Sequence, residues 1–449
     1  MSPELVLKLN APVPRYTSYP TAPHFHPGVT ADSYGSWLAA MPEDAAISLY
    51  LHIPFCDRLC WFCACHTKQT LKYDPVAAYL DALIAEIALV GEKLAGKGRV
   101  TAVHYGGGSP TMLKPDDMVR LDTALRGAMR FDPAAEVSVE IDPNDITPEK
   151  YEALARIGLT RASLGVQDFE PKVQEAINRI QTFEQTRDVI ENVRAHGARS
   201  VNIDLLYGLP HQTRASVEAT LRQVLTLRPD RIALFGYAHV PWMKKHQTMI
   251  PDTLLPGPVE RFAQSNRAAS LLTNAGYKSI GIDHFALPDD SLALAAKEGR
   301  LKRNFQGYTD DAPDALIGLG ASSIGQLPQG YVQNQAATGE YIRTVSGGSL
   351  ATVRGFELED DDRLRARVIE RLMCDFAFTG ASLKAEFGEP AETILDEAKY
   401  LIEADPEKLF CRRGDRYFIT SKGRPFARSV AAGFDAYFGA GTARHSMAV

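Results

Sequence analysis

A chain of 449 residues, 45% hydrophobic and 23% charged, can bury a large core and suits a soluble globular protein of two domains. No apolar run reaches the roughly 18 residues of a membrane span, and Met1-Ser-Pro-Glu-Leu-Val lacks the basic and apolar regions of a secretory signal. A formal charge of −6 argues against nucleic acid as the main partner, and an acidic substrate would have to meet a local gathering of Arg or Lys.

Residues 1–44 contain Pro14-Arg15-Tyr16-Thr17-Ser18-Tyr19-Pro20, then Pro23, Pro27 and Gly28. Proline at this density predicts an extended arm rather than a helix. The aromatic residues among the prolines suggest that the arm packs on a catalytic domain rather than trailing free.

From residue 45, apolar β-branched runs alternate with helical patterns, the signature of βα units and a parallel sheet. Strands are predicted at Ala46–Pro54, Val100–Gly106, Glu136–Asp142, Arg161–Gln167, Ser200–Tyr207 and Arg231–Ala238. Helices are predicted near 75–95, 115–129, 147–157, 170–196, 214–228 and 258–275. Six such units give an α/β fold, an incomplete (β/α)6 barrel over 45–356, with the active site at the carboxyl ends of its strands.

The first strand runs into the densest motif of the chain, Cys56-x3-Cys60-x2-Cys63-x-Cys65, which holds four of the six cysteines. Thiolates at such spacing suit zinc or an iron–sulfur cluster. Structural zinc takes a second, separated ligand pair, and none exists here. A Cys60-x-x-Cys63 dithiol would leave Cys56 and Cys65 unexplained. Three thiolates would instead hold three irons of a [4Fe-4S] cube and leave the fourth open to a substrate. With Cys374 and Cys411 far apart and single, a reducing cytoplasm is the natural compartment.

Other chemistry-bearing residues fall at the same ends of the strands. Gly106-Gly107-Gly108-Ser109 follows the second strand, where absent side chains let backbone approach a ligand. Glu140 and Asp142 end the third strand, Gln167 the fourth. Asp204 interrupts the apolar fifth strand and needs a polar partner there. Arg179, in Ile-Asn-Arg-Ile-Gln, carries a weaker local signal and reads as a surface helix arginine.

Beyond the barrel, Gly-, Asn- and Gln-rich residues 278–345 read as irregular and as covering the site. Residues 357–449 read as a small, mainly helical, winged-helix-like domain, with helices near 360–375, 391–403 and 421–436 and a hairpin over Cys411–Ile419. Its 14 Lys and Arg against 17 Asp and Glu argue for a structural cap over a nucleic-acid module.

The C-x3-C-x2-C pattern after an apolar strand, with Phe62 before the third cysteine, resembles the radical S-adenosylmethionine (SAM) superfamily. Taken with the Pro14–Pro20 arm, Cys65, His104–Thr111, Asn202–Pro210, Asp283–Ala286 and Arg303–Tyr308, the chain closely resembles the oxygen-independent coproporphyrinogen III oxidase family. That resemblance implies a [4Fe-4S] cluster on Cys56, Cys60 and Cys63, with Cys65 outside the ligand set. It implies cluster-bound SAM at Tyr50, Gly107, Glu140 and Ile324. A second SAM would lie at Phe62, Gly108, Ser109, Gln167, Arg179, Asp204 and Ala238, Ser109 standing where threonine is commoner. The implied reaction converts two propionates of coproporphyrinogen III to vinyls, giving protoporphyrinogen IX, with electrons from a donor such as flavodoxin or ferredoxin. Arg15 and Arg303 are the expected substrate-carboxylate groups, in a cytoplasmic monomer without nucleic-acid or membrane partners. The alternative is a heme-binding, chaperone-like relative, a branch that typically lacks both the Cys65 position and the arm.

Overall fold

In the computed structural model, which describes residues 1–439 and Met447, each of the six predicted strands forms. They are β1 (Ala46–Ile53), β2 (Arg99–Gly107), β3 (Phe131–Ile141), β4 (Arg161–Gln167), β5 (Ser200–Tyr207) and β6 (Arg231–Gly236). All pair in parallel with their neighbours in chain order. Helices Asp74–Leu94, Pro115–Ala128, Pro148–Arg156, Phe183–Ala195 and Arg214–Thr226 connect them. Parallel strands covered by helices lie away from water, and Leu49, Leu51, Val103, Val139, Leu164, Ile203 and Ile232 form the centre of the main core.

The sheet continues past both edges, which the sequence reading did not anticipate. Segment 278–345, expected to be irregular, supplies β7 (Lys278–Ile280), β8 (His284–Ala286), β9 (Ala315–Leu319), β10 (Ile324–Leu327) and β11 (Gly330–Asn334), and β12 is Thr352–Glu357. The order is β12-β11-β10-β9-β1-β2-β3-β4-β5-β6-β8-β7, twelve strands among the described residues. β9 lies parallel to β1, with Ile47 opposite Ala315 and Leu51 opposite Leu319, so β1 is an interior strand. The glycines that gave this stretch its loop-like composition allow tight pairing instead: a Cβ on Gly318 would lie 2.6 Å from the Ile324 carbonyl oxygen.

Two further expectations change. The helix expected near 170–196 is two helices, Pro171–Ala176 and Phe183–Ala195, and Arg179 lies in the turn between them. Asn178 takes a φ of +55° there, and the Gln174 amide donates to the carbonyls of Asp168 and Gln181, holding the break. The arm is not wholly extended. It begins with helix Pro3–Leu9, capped by Ser2, and ends with Ala31–Ala39, where Thr30 and Ser33 form a capping box. Proline keeps only the middle extended.

That middle stretch joins two cores. Val13, Tyr16 and Tyr19 are buried among Leu364, Val368, Phe378 and Phe434 of the C-terminal region. Tyr34, Trp37 and Leu38 join the main core. Phe25 stacks on Tyr331 with ring centroids 5.4 Å apart. The arm therefore packs on both parts, not on the catalytic part alone. The C-terminal region holds helices Asp360–Cys374, Gly380–Phe387 and Ala391–Glu403 and the hairpin Phe410–Arg413/Arg416–Ile419. The helix expected near 421–436 is a short one, Ala427–Ala431, between 3-10 turns. Residues 440–446, 448 and 449 of the expected 357–449 domain lie outside the described residues. Among the described residues no helix is long and apolar enough to cross a membrane.

Candidate active site

The carboxyl ends of β2–β5 and the cysteine loop after β1 enclose a cavity of about 350 Å³. Cys56, Cys60, Cys63 and Cys65 line one side with Phe62. Gly107, Gly108, Ser109, Glu140, Gln167, Arg179 and Asp204 contribute to the rest of the lining. Of the other residues singled out from sequence, Tyr50, Ala238 and Ile324 are not part of this lining, while Arg15 and Arg303 line a separate cavity of about 70 Å³.

The cysteine loop is fixed through its backbone. Phe55 and Cys56 pair with Lys68 and Gln69, closing the loop on itself. The carbonyl oxygens of Phe62, Cys63 and Cys65 accept hydrogen bonds from Gln247 Nε2 (2.9 Å), His246 Nε2 (2.7 Å) and Lys244 Nζ (2.9 Å). Gln247 also donates to the Ala238 carbonyl at 3.2 Å, which places Ala238 behind Phe62. From the other side the Trp61 N–H bonds the Ile177 carbonyl at 2.9 Å. A hydrogen bond from the Cys65 thiol draws Cys63 down to about 7, and the same contact pushes Cys65 well up.

The glycine run answers to packing as much as to a ligand. A Cβ on Gly106 would stand 2.7 Å from the Glu140 carboxylate, one on Gly107 2.5 Å from the His52 ring, and one on Gly108 2.5 Å from the Phe55 carbonyl oxygen. Gly107 also takes a φ of +108°. The run thus lets β2, β3 and the start of the cysteine loop converge.

Glu140 is held at both oxygens, by His104 Nε2 at 3.0 Å and by the Gly107 N–H at 3.0 Å. Burial pushes its carboxyl up, but these partners outweigh it and hold Glu140 below the ordinary value. His104 stacks on Tyr50 at 5.8 Å, and Tyr50 Oη lies 2.9 Å from His52 Nδ1. Tyr50 pairs with Gly318 across the β1–β9 seam, and a Cβ on Gly318 would lie against the Ile324 backbone.

Asp204 accepts from Asn202 Nδ2 at 2.8 Å and Ser163 Oγ at 3.1 Å. Burial, then the charge of Glu140, raises its carboxyl to about 6. A register shift between Gly165 and Gln167 ends β4, with Gln167 at a φ of +69°. Gly165 leaves room there: a Cβ on it would lie 3.1 Å from Gln167 Nε2 and 3.2 Å from Arg179 Nη2. Arg179 is a buried site residue, not a surface helix residue. Its Nη1 pairs with Asp142 Oδ2 at 3.1 Å and lies 3.5 Å from Cys60 Sγ. Asp142 is thereby engaged by protein.

The residues fit a thiolate-bound cluster and a polar ligand beside it. Among the described residues no three His, Cys, Asp or Glu side chains converge on a single-ion site. The thiols of Cys56, Cys60 and Cys63 instead stand around one cavity, as ligands to separate irons require. Arg179 Nε and Asp145 Oδ2 are buried without hydrogen-bond partners, leaving polar capacity for a bound group.

The radical SAM superfamily pattern matches residues 50–224. An oxygen-independent coproporphyrinogen III oxidase from Bradyrhizobium diazoefficiens is 49% identical over 437 residues, 97% of each chain. An anaerobic coproporphyrinogen III oxidase from Cereibacter sphaeroides is 47% identical over 95% of each. The chain belongs to the oxygen-independent coproporphyrinogen III oxidase family. The solved structure of coproporphyrinogen III oxidase from Escherichia coli, described as a radical SAM enzyme, superposes with a TM-score of 0.90 at 37% identity. That match covers 94% of this chain and 98% of the other. Membership in this radical SAM family implies a [4Fe-4S] cluster and SAM.

Several residues that shape this family site escaped sequence reading. His52 and His104 stand behind the site, His52 beside the Tyr50 hydroxyl and His104 on the Glu140 carboxylate. Lys244, His246 and Gln247, which hold the cysteine loop, carry no signal beyond a polar run after a proline. Asn202 and Ser163 could have been found from the strand alternation that places them on the Asp204 face of β5 and at the facing position of β4.

Proposed function

We propose that this protein converts two propionates of coproporphyrinogen III to vinyls without oxygen, giving protoporphyrinogen IX. The observation that carries the reading is that Cys56, Cys60 and Cys63 line one cavity together with Glu140 and Asp204, in a chain of this family. When bound, the reduced cluster and SAM supply a deoxyadenosyl radical, which removes hydrogen from a propionate β-carbon so that CO2 and one further electron can leave.

The chain's own residues bind, orient and exclude water. Cys56, Cys60 and Cys63 hold the cluster, and Cys65 stays outside the ligand set. Glu140, kept anionic by His104 and Gly107, takes the amino group of the cluster-bound SAM, with Tyr50, Gly107 and Ile324 around it. A second SAM is held by Phe62, Gly108, Ser109, Gln167, Arg179, Asp204 and Ala238. Its support is the set of polar groups Gln167, Arg179 and Asp204 in the lining of the same cavity, with a spare Arg179 nitrogen among them. Arg15 and Arg303 position substrate carboxylates. The six parallel units work as an incomplete barrel within 45–356, with 1–44 as the arm and 357–449 as the cap. A reduced flavodoxin or ferredoxin supplies electrons to a cytoplasmic monomer.

Anaerobic incubation of reconstituted protein with SAM, reductant and coproporphyrinogen III tests the reading. Mass spectrometry should find CO2 and two hydrogens lost at each of two side chains. Heme binding without any such product would defeat it.

A further inference from the structure

Behind the cavity just described lies the smaller one, of about 70 Å³, and Phe235 lines both. Four guanidinium groups reach it from separate parts of the chain. Arg15 comes from the arm, Arg261 from helix Pro258–Asn274, Arg303 from the short strand Lys302–Asn304, and Arg428 from the C-terminal region. Asp283 is the one acidic residue in the lining among the described residues, and it is already bonded to His284 Nδ1 at 2.7 Å.

Arg15, Arg261 and Arg303 are poorly matched by protein. Among the described residues, no carboxylate lies within 4 Å of Arg15, Arg261 or Arg303; the described ion pairs all involve other residues. Their recorded acceptors are neutral backbone carbonyls. Arg15 Nη2 donates to Gly236 at 3.2 Å, Arg261 Nη2 to Tyr237 at 2.9 Å, and Arg303 Nη2 to Arg15 at 3.4 Å. Arg303 lies over the Tyr308 ring, 4.4 Å from its centroid, and its Nε and Nη1 are buried without a carbonyl or carboxylate acceptor. Gathering like charges away from water is costly unless an anion joins them. Burial, together with neighbouring arginines, holds both Arg15 and Arg261 below the ordinary value, which is the direction expected of cations awaiting a counter-charge.

The cavity is also shaped for a guanidinium at 261. A Cβ on Gly208 would stand 2.7 Å from Arg261 Nη1, and one on Gly236 3.2 Å from Nη2. Two glycines at consecutive strand ends thus leave the room that Arg261 fills. A cavity of this size admits a carboxylate head with water beside it rather than a whole macrocycle.

We propose that this cavity is a carboxylate anchor in which Arg261, with Arg15 and Arg303, grips one acid side chain of a multiply charged substrate whose reacting side chain lies in the larger cavity. The identity of that acid rests on the function proposed above: it is a propionate of coproporphyrinogen III that is not being decarboxylated. Guanidinium forks suit this task because they donate two parallel bonds to one carboxylate. Anchoring a distant carboxylate fixes which β-carbon faces the radical source, so binding energy is turned into orientation. Since Arg15 belongs to the arm and Arg428 to the C-terminal region, the anchor also draws both onto the bound substrate.

The test compares holoprotein carrying Arg261→Gln, Arg261→Lys or the control Arg267→Gln, which alters the same helix at a surface pair with Glu218. Two readouts are taken anaerobically: absorbance titration with coproporphyrin III, a stable tetra-acid, and steady-state turnover of coproporphyrinogen III. Arg261→Gln should weaken coproporphyrin binding and raise KM about tenfold or more, the scale of one charge-assisted pair, with a smaller change in kcat. Arg261→Lys should fall between, and Arg267→Gln should match the wild type. Unchanged affinity and KM in Arg261→Gln overturn the anchor. If that variant does not fold, the tetramethyl ester of coproporphyrin III decides with the unmodified protein. It should bind about tenfold more weakly than the free acid, and equal binding overturns the anchor. Wild-type protein that binds coproporphyrin through Arg261 but turns over no coproporphyrinogen defeats the proposed function and leaves the anchor standing.

Discussion

Arg179 and Asp142 form a buried ion pair, Nη1 to Oδ2 at 3.1 Å, and the same nitrogen reaches Cys60 Sγ at 3.5 Å. Asp142, one of the two carboxylates at the end of β3, therefore positions an arginine, and the arginine steadies the cysteine loop. Asp145, raised to about 7 by burial and then by Asp142 and Asp57, shows how much negative charge is gathered behind that loop. Removing one member of a buried pair typically costs about 3–5 kcal/mol, because the other is left uncompensated. Arg179→Gln should accordingly melt several degrees lower and carry less iron than the wild type after reconstitution. Cys65→Ala should keep its iron and its reduced-cluster electron paramagnetic resonance signal. A fully loaded Arg179→Gln protein with unchanged melting would remove the pair from the loop's support.

Two glycines separate crowding from mere flexibility. Gly108 stands with its missing Cβ 2.5 Å from a backbone oxygen of Phe55, which cannot rotate away, and its N–H bonds the Ile53 carbonyl at 2.9 Å. Gly127 ends helix Pro115–Ala128 with nothing within 4 Å of a Cβ. Gly108→Ala should lose about 2 kcal/mol or more of stability through overpacking and assemble cluster poorly. Gly127→Ala should gain about 0.5–1 kcal/mol from helix propensity alone. Urea unfolding of the two variants reads both signs, and equal effects would show that space does not decide either site.

What the sequence made legible is local in the chain. The six parallel strands appear as apolar runs such as Val-Asn-Ile-Asp-Leu-Leu, and the cysteine motif declares its chemistry through spacing over ten residues. Illegible features depend on partners far away. Arg179 reads as a helix residue until Asn178 breaks the helix and Asp142, in another unit, takes its side chain. β9 is five residues with a central glycine, and only its register against Ile47–Leu51 makes it a strand. Arg261 looks like any charge on an amphipathic helix, because the other members of its cluster lie in the arm, the short strand Lys302–Asn304 and the C-terminal region. The glycine run was legible as close approach, but not what it approaches.

Asp204 provides the test of a second SAM. Burial and the charge of Glu140 raise its carboxyl from 3.8 to about 6, against the pull of Asn202 and Ser163. A folded-state value above the unfolded one means that the native state holds this proton more tightly. Its contribution therefore favours folding at low pH and is lost as pH rises from about 4 through about 6. Without ligand, Asp204→Asn should thus gain stability relative to the wild type across that window and level off above it. At neutral pH the carboxylate is charged, and an amino or ribose hydroxyl group of a ligand would offset its burial. Equilibrium dialysis of cluster-loaded wild type at pH 7.5 should give two SAM per chain, falling to one in Asp204→Asn with its cluster retained. The second SAM alone should weaken as the wild type is taken below pH 6, since Glu140 is held below the ordinary value and stays ionised. One SAM bound by saturated wild-type protein would leave Asp204, Ser163 and Asn202 as a structural network at the ends of β4 and β5.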